Sequence, residues 1–179
     1  VSKAVSEIIA EVVKNGDKAL VSYAEKFDGA KLAALEVTDA EIKEAFGAVE
    51  PAFIAVLEEA AANIKHFHEK QVRSSFVIND KDGVVMGQKV MPIEKVGIYV
   101  PGGTAAYPST VLMDSIPAKI AGCAEIVMVT PPLASGKVNP VILAAAKIAG
   151  IDRIFKTGGA QAVAALAYGT ESVPKVDKI

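Results

Sequence analysis

Apolar side chains recur at helical spacing from the N-terminus to about Gln71, and then the period changes. Val5, Ile8, Ile9, Val12 and Val13 fall on one face of a first helix, and Gly16 stands where a left-handed turn would end it. Asp17 is placed to cap a second helix carrying Leu20, Tyr23, Ala24 and Phe27, with Gly29 as its stop. Thr38 and Glu41 have the spacing of a capping box for a third helix. Pro51 suits the first turn of a fourth, whose expected buried stripe is Phe53, Ile54, Leu57, Ala61, Ile64 and Phe67.

Between Ser75 and Ile93 the alternation is that of strands: Phe76 to Ile78 and Val84 to Met91 flank the polar turn Asn79 to Gly83, which predicts a hairpin. Pro92 marks a boundary, so the pattern predicts a mostly helical lobe with a hairpin over 1–92 and a second lobe over 93–179. That second lobe alternates regularly. The apolar run Val96 to Val100 leads into the turn Pro101, Gly102 and Gly103, and a helix is expected from Ser109 to Ala121. Strand Glu125 to Thr130, helix Pro140 to Ala149, strand Arg153 to Phe155 and helix Ala160 to Tyr168 follow, and Val176 to Ile179 reads as the start of one more strand. Strands this continuously apolar are buried on both faces. Short helical crossovers between them predict an α/β fold with a Rossmann-like, doubly wound parallel sheet.

Composition narrows the class of partner. The chain has 179 residues, 51% hydrophobic and 22% charged, which suits a folded globular protein rather than a disordered one. Nineteen basic against twenty-one acidic residues leave a formal charge of -2, with no cationic surplus for nucleic acid or an anionic membrane. A single cysteine, Cys123, makes no internal disulfide, so a reduced, cytoplasmic setting is expected. Apolar stretches such as Val141 to Ala146 are far short of the roughly 18 residues of a membrane span. Val1 in place of a starting methionine points to processing or to a piece of a longer chain.

In an open parallel sheet the ligand edge lies beyond the carboxyl ends of the strands, which directs attention to the loops 99–107, 130–136 and 157–161. Gly102 with Gly103, and Gly158 with Gly159, allow close approach of backbone to a ligand, or serve simply as tight turns. Neither loop has the G-x-G-x-x-G spacing. No acidic residue ends the second strand to hold a ribose, and no P-loop lysine is present. Tyr99 ends the first strand, where its ring can stack and its hydroxyl donate, or where it can pack on Pro101. Gln161 can turn its amide into the cleft or cap the helix start. Cys123 precedes its strand on the opposite edge and is expected to be a small buried thiol rather than a nucleophile. His66 and His68 point to different faces of one helix and are expected at the surface. No catalytic acid, base or metal site is evident in this chain.

The stretches Val96-Gly-Ile-Tyr-Val-Pro-Gly-Gly103, Pro108-Ser-Thr-Val-Leu-Met113, Ile116-Pro-Ala-Lys-Ile-Ala-Gly-Cys123, Thr157-Gly-Gly-Ala-Gln-Ala162 and Ala167-Tyr-Gly-Thr-Glu-Ser-Val-Pro-Lys-Val-Asp-Lys178 are long and ungapped, and they closely resemble the histidinol dehydrogenase family. The helical lobe agrees more loosely through Asn15-Gly-Asp-Lys-Ala-Leu20 and Lys26-Phe-Asp28. The resemblance implies a zinc-dependent, NAD-linked homodimer of histidine biosynthesis that oxidises L-histidinol to L-histidine through the aldehyde. It implies that Tyr99 and Gln161 touch NAD. It also implies that the chain continues past Ile179, that a short N-terminal arm precedes Val1, and that the zinc ligands, substrate contacts and acid–base pair lie farther on. On that reading the chain alone is inactive and exposes an apolar face that drives association. Two alternatives share these residues: a freestanding nucleotide- or phosphate-binding module without catalysis, and a related NAD-dependent dehydrogenase of another polar alcohol.

Overall fold

The computed structural model describes residues 2–102 and 106–179, so Gly103 of the first glycine loop lies outside the described residues. At its centre β3 (Lys95–Tyr99), β4 (Glu125–Thr130) and β5 (Arg153–Lys156) form a parallel three-stranded sheet in the order β3-β4-β5. The crossover helices are α4 (Pro108–Ala121) and α5 (Pro140–Ala149), as the alternation predicts. Successive strand residues point to opposite faces, so each strand feeds two cores. Val100, Met128 and Ile154 join Val111, Leu112, Ile142 and Leu143 of α4 and α5 on one face. Val127, Val129 and Phe155 join Ala162, Ala165 and Leu166 of α6 (Gly159–Tyr168) on the other. Such double burial is what makes the strands apolar without alternation.

After α6 the chain returns to the outer edge of β3 rather than continuing past β5. The Gly97 N–H donates to Lys178 O at 2.8 Å and the Asp177 N–H to Lys95 O at 2.9 Å, and Lys178 pairs with Val96 in parallel. Winding therefore reverses at β3, which makes its carboxyl end a topological switch point. Gly97 permits this return: a Cβ there would come within 2.8 Å of Leu166 Cδ1 and 3.1 Å of Val176 Cγ2. The opposite edge is also covered. The Val37 N–H donates to Ile154 O at 2.9 Å and the Lys156 N–H to Leu35 O at 2.8 Å, so residues 35–37 pair antiparallel with β5.

The N-terminal helices pack on both faces of this frame. Helix α1 (Ser2–Tyr23) lies on α6, α2 (Asp39–Ala48) on α5, and α3 (Pro51–Glu69) on α4. Thr38 and Glu41 form the expected capping box at α2. Glu41 also meets Lys156 Nζ at 2.6 Å, and Glu36 holds Arg153 through two hydrogen bonds of 2.7 and 2.8 Å. The Arg153 hydrogen bonds keep the Glu36 carboxyl below its ordinary range. Burial raises that of Glu41, but hydrogen bonds from Lys156 and Thr38 outweigh it and leave the group lowered.

Three local expectations change. Gly16 does break α1, at φ 51° and ψ −131°, but the Asp17 carboxylate accepts from Thr170 Oγ1 at 2.6 Å, from the Ser172 N–H at 3.2 Å and from Ser172 Oγ. It ties the kink to the loop after α6 across the fold. Val13, Phe53 and Phe67, placed by periodicity on buried faces, are exposed, because α1 and α3 meet the sheet layers on one side only, through residues such as Val12 and Leu57. The hairpin pairs β1 (Phe76–Lys81) with β2 (Val84–Gln88) about a shorter turn than expected, Asp82-Gly83. Every hairpin residue is exposed, including Val77 and Val85 on the two strands.

Two measurements check these anchors. Asp17→Ala is expected to lower unfolding free energy in urea by about 2 kcal/mol, the usual scale for charge-assisted hydrogen bonds. Both Glu36 and Glu41 have lowered values in the folded protein, so their contribution is complete above the unfolded range near about pH 4.3 and is lost as pH falls below it. Urea midpoints should therefore fall on acidification, and Glu36→Gln should lower the neutral-pH midpoint while flattening that fall.

Candidate functional site

The loops that follow β3, β4 and β5 surround a cavity of about 520 Å³ at the carboxyl edge of the sheet. Its walls include Tyr99, Pro101 and Gly102 after β3, Thr130 to Leu133 after β4, and Gly158 to Gln161 after β5. The cavity size is that of a small-molecule site. Both predicted side chains, Tyr99 and Gln161, face this one cavity, at its β3 and β5 ends.

Tyr99 is half-buried, and its hydroxyl accepts a hydrogen bond from the Gly159 N–H at 3.0 Å. It thus links the first glycine loop to the second rather than only packing on Pro101. A phenol that accepts from an amide still has its own hydrogen to donate. Gln161 is 3% exposed and lies in the first turn of α6, whose N-terminus has no side-chain cap. Its amide occupies the space beside Gly159, where a Cβ would lie 2.8 Å from Gln161 Oε1, and Gly159 adopts φ +65°. The neighbouring Gly158 has a different reason to lack a side chain: a Cβ there would sit 2.7 Å from Pro131 Cβ. Gly102 abuts the same proline from the other loop. The paired glycines thus let two loops close on Pro131 and leave polar groups of Tyr99, Gly159 and Gln161 at the cavity wall.

One further polar group enters from outside the sheet. Asp28 closes a widened, π-type turn, Ala24–Asp28, that extends α1, and Gly29 follows at φ 66° with its N–H on Ala24 O. Asp28 lines the cavity, and one of its carboxylate oxygens, Oδ2, is buried without a hydrogen-bond partner among the described residues. Burial raises its carboxyl above the ordinary range. Reading strand loops alone misses Asp28; its signal in the sequence is the Lys26-Phe-Asp28 stretch.

Other candidates lie elsewhere. Cys123 is half-buried in a separate groove with His68, Arg73 and Pro92, at the amino edge, rather than fully buried. His66 is exposed, and His68 is half-buried with Nδ1 2.6 Å from Gln71 Oε1. Among the described residues no group of three His, Cys, Asp or Glu side chains is placed to hold a metal ion. Also among them, no helix is long and apolar enough to cross a membrane.

An open, doubly wound α/β chain with a polar-walled cavity at its switch point is the class these features define. Comparison with known proteins gives the family. The family model described as histidinol dehydrogenase matches residues 1–179, and the chain belongs to that family of oxidoreductases. It is 56% identical over 177 residues to the histidinol dehydrogenase of Clostridium acetobutylicum, covering 99% of this chain and 41% of that protein. With the Listeria monocytogenes enzyme it shares 55% identity over 179 residues, covering all of this chain and 42% of that one. The crystal structure of histidinol dehydrogenase from Elizabethkingia anophelis superposes with a TM-score of 0.95 at 42% identity, over 99% of this chain and 41% of that chain. The chain therefore spans about two fifths of the length of these relatives.

Gly158→Ala tests the packing that shapes the cavity. It is expected to cost about 1–3 kcal/mol of stability, the usual range for overpacking, because backbone and Pro131 must separate. Thermal unfolding measures the loss, and an unchanged Tm would show that the loops do not close on Pro131 as described.

Proposed function

We propose that this chain forms the NAD-binding portion of a histidinol dehydrogenase, which oxidises L-histidinol to L-histidine by way of the aldehyde. The observation that carries the reading is the convergence of Tyr99, Gly159 and Gln161 on one cavity at the switch point of a parallel sheet. Tyr99 would donate its free hydroxyl hydrogen to the dinucleotide, and Gln161 would offer an amide donor and acceptor. The glycines at 102, 158 and 159 keep the cavity wall free of side chains. When bound, NAD supplies a hydride acceptor; the protein's part is to hold it in register with the alcohol.

The described residues do not fit a zinc ion, since they assemble no ligand set. On this reading zinc, the substrate contacts and the acid–base pair belong to the parts of the relatives that this chain does not cover. The same reading places the protein in the cytoplasm as a homodimer, with 1–92 an incomplete domain and 93–179 the NAD-binding lobe. The exposed hairpin and the outward Phe53 and Phe67 support the idea that further chain or a second subunit covers the helical part.

Calorimetric titration with NAD tests the assignment. Tyr99→Phe, which keeps the ring that packs on the core, and Gln161→Ala are each expected to weaken binding about tenfold, the scale of a lost buried hydrogen-bond partner. Wild-type affinity in both variants would remove the cavity from the account.

A further inference from the structure

In many dinucleotide-binding folds an acidic side chain at the end of the second parallel strand holds the ribose hydroxyls. Here the corresponding strand, β4, ends in Thr130 and runs into Pro131 and Pro132, so that position offers no carboxylate. Yet the cavity does contain one. Asp28 reaches it from the turn after α1, about a hundred residues away in sequence, and is the sole charged side chain among the described residues of the lining.

The state of Asp28 calls for an explanation. Its Oδ2 is buried with no partner among the described residues, and a buried, unpartnered carboxylate oxygen costs stability. The π-type turn and the left-handed Gly29 fix the backbone that carries the side chain. Burial also raises its carboxyl, as expected of a charge that lacks a counter-ion. A group kept at such a cost, at the wall of a ligand-sized cavity, is suited to accept hydrogen bonds that only a ligand brings.

Resting on the dinucleotide reading above, we propose that Asp28 is the residue that receives the hydroxyl pair of the adenosine ribose, and that it sets preference for NAD over NADP. A carboxylate can accept from both hydroxyls of a vicinal diol. The 2′-phosphate of NADP removes one donor and adds about two negative charges beside Asp28. No Lys or Arg stands among the described lining residues to offset them. Discrimination then comes from a lost hydrogen bond and a repulsion together.

The test compares Asp28→Asn with the unaltered protein by titration with NAD, NADP and NAD lacking the 2′-hydroxyl of its adenosine ribose. In the unaltered protein, NAD should bind about tenfold more tightly than the deoxy analogue, the scale of a hydrogen bond to a charged group, and more tightly still than NADP. In Asp28→Asn, NAD should weaken about tenfold, the deoxy analogue, which keeps only its 3′-hydroxyl bond, should weaken by a smaller factor, and the NAD to NADP ratio should narrow at least tenfold. The Tm of the unliganded variant should rise, because the unpaired buried charge is gone; damage to the fold would lower it instead. If NAD binds the unaltered protein and Asp28→Asn leaves the three affinities in the same ratios, the role of Asp28 is wrong and the dinucleotide site stands. If NAD does not bind the unaltered protein, the dinucleotide reading itself fails and carries this inference with it.

Discussion

The parallel pairing of β3, β4 and β5 requires cover on both faces of the sheet, and most other features of the chain follow from that requirement. Parallel neighbours need long crossovers, and α4 and α5 supply both them and one covering layer. The other face is closed by α6 and by α1 from the N-terminal region. Because α6 lies on that second face, the chain after it returns to β3 rather than to β5, and the reversal opens a crevice beyond the carboxyl end of β3. Tyr99 stands at that end. The cavity is thus a result of how the sheet is wound, and its polar groups arrive on loops whose positions the buried strands fix.

Those loops illustrate how small residues serve geometry. Gly102 and Gly158 both approach Pro131, so three loops share one contact surface. Gly159 leaves room for the Gln161 amide and presents its own N–H to Tyr99. The result is a rim linked from β3 to β5 by the hydrogen bond between the Gly159 N–H and the Tyr99 hydroxyl. On the helical side, Asp17 and the ion pairs of Glu36 and Glu41 fasten the N-terminal segments to the loop after α6 and to β5. They keep α1, and with it the turn that carries Asp28, against the cavity.

Much of this frame is legible in the residues. Unbroken apolar runs at Val96 to Val100 and Ile126 to Val129, separated by a helix-length segment, specify buried parallel strands, and the capping box at Thr38 and Glu41 marks a helix start to the residue. The placing of Tyr99 and Gln161 at one cavity follows from the rule that loops after parallel strands share an edge. What periodicity cannot supply is which side of an amphipathic helix finds a partner. Phe53 and Phe67 belong to the same apolar set as Leu57 and yet are exposed, since α3 packs on α4 and α5 along the side that carries Leu57. Asp17 and Asp28 show a second limit. Asp17 has the local look of a cap and Asp28 of an ordinary turn residue, but the partners of the one and the cavity of the other come from segments more than seventy residues distant.

A structure of the protein with NAD bound tests the central claim most directly. The account predicts the dinucleotide at the carboxyl edge of the sheet, in the cavity walled by Tyr99, Pro131, Gly159 and Gln161. Density for it at the amino edge, in the groove beside Cys123 and Pro92, with the first cavity empty, would contradict the account.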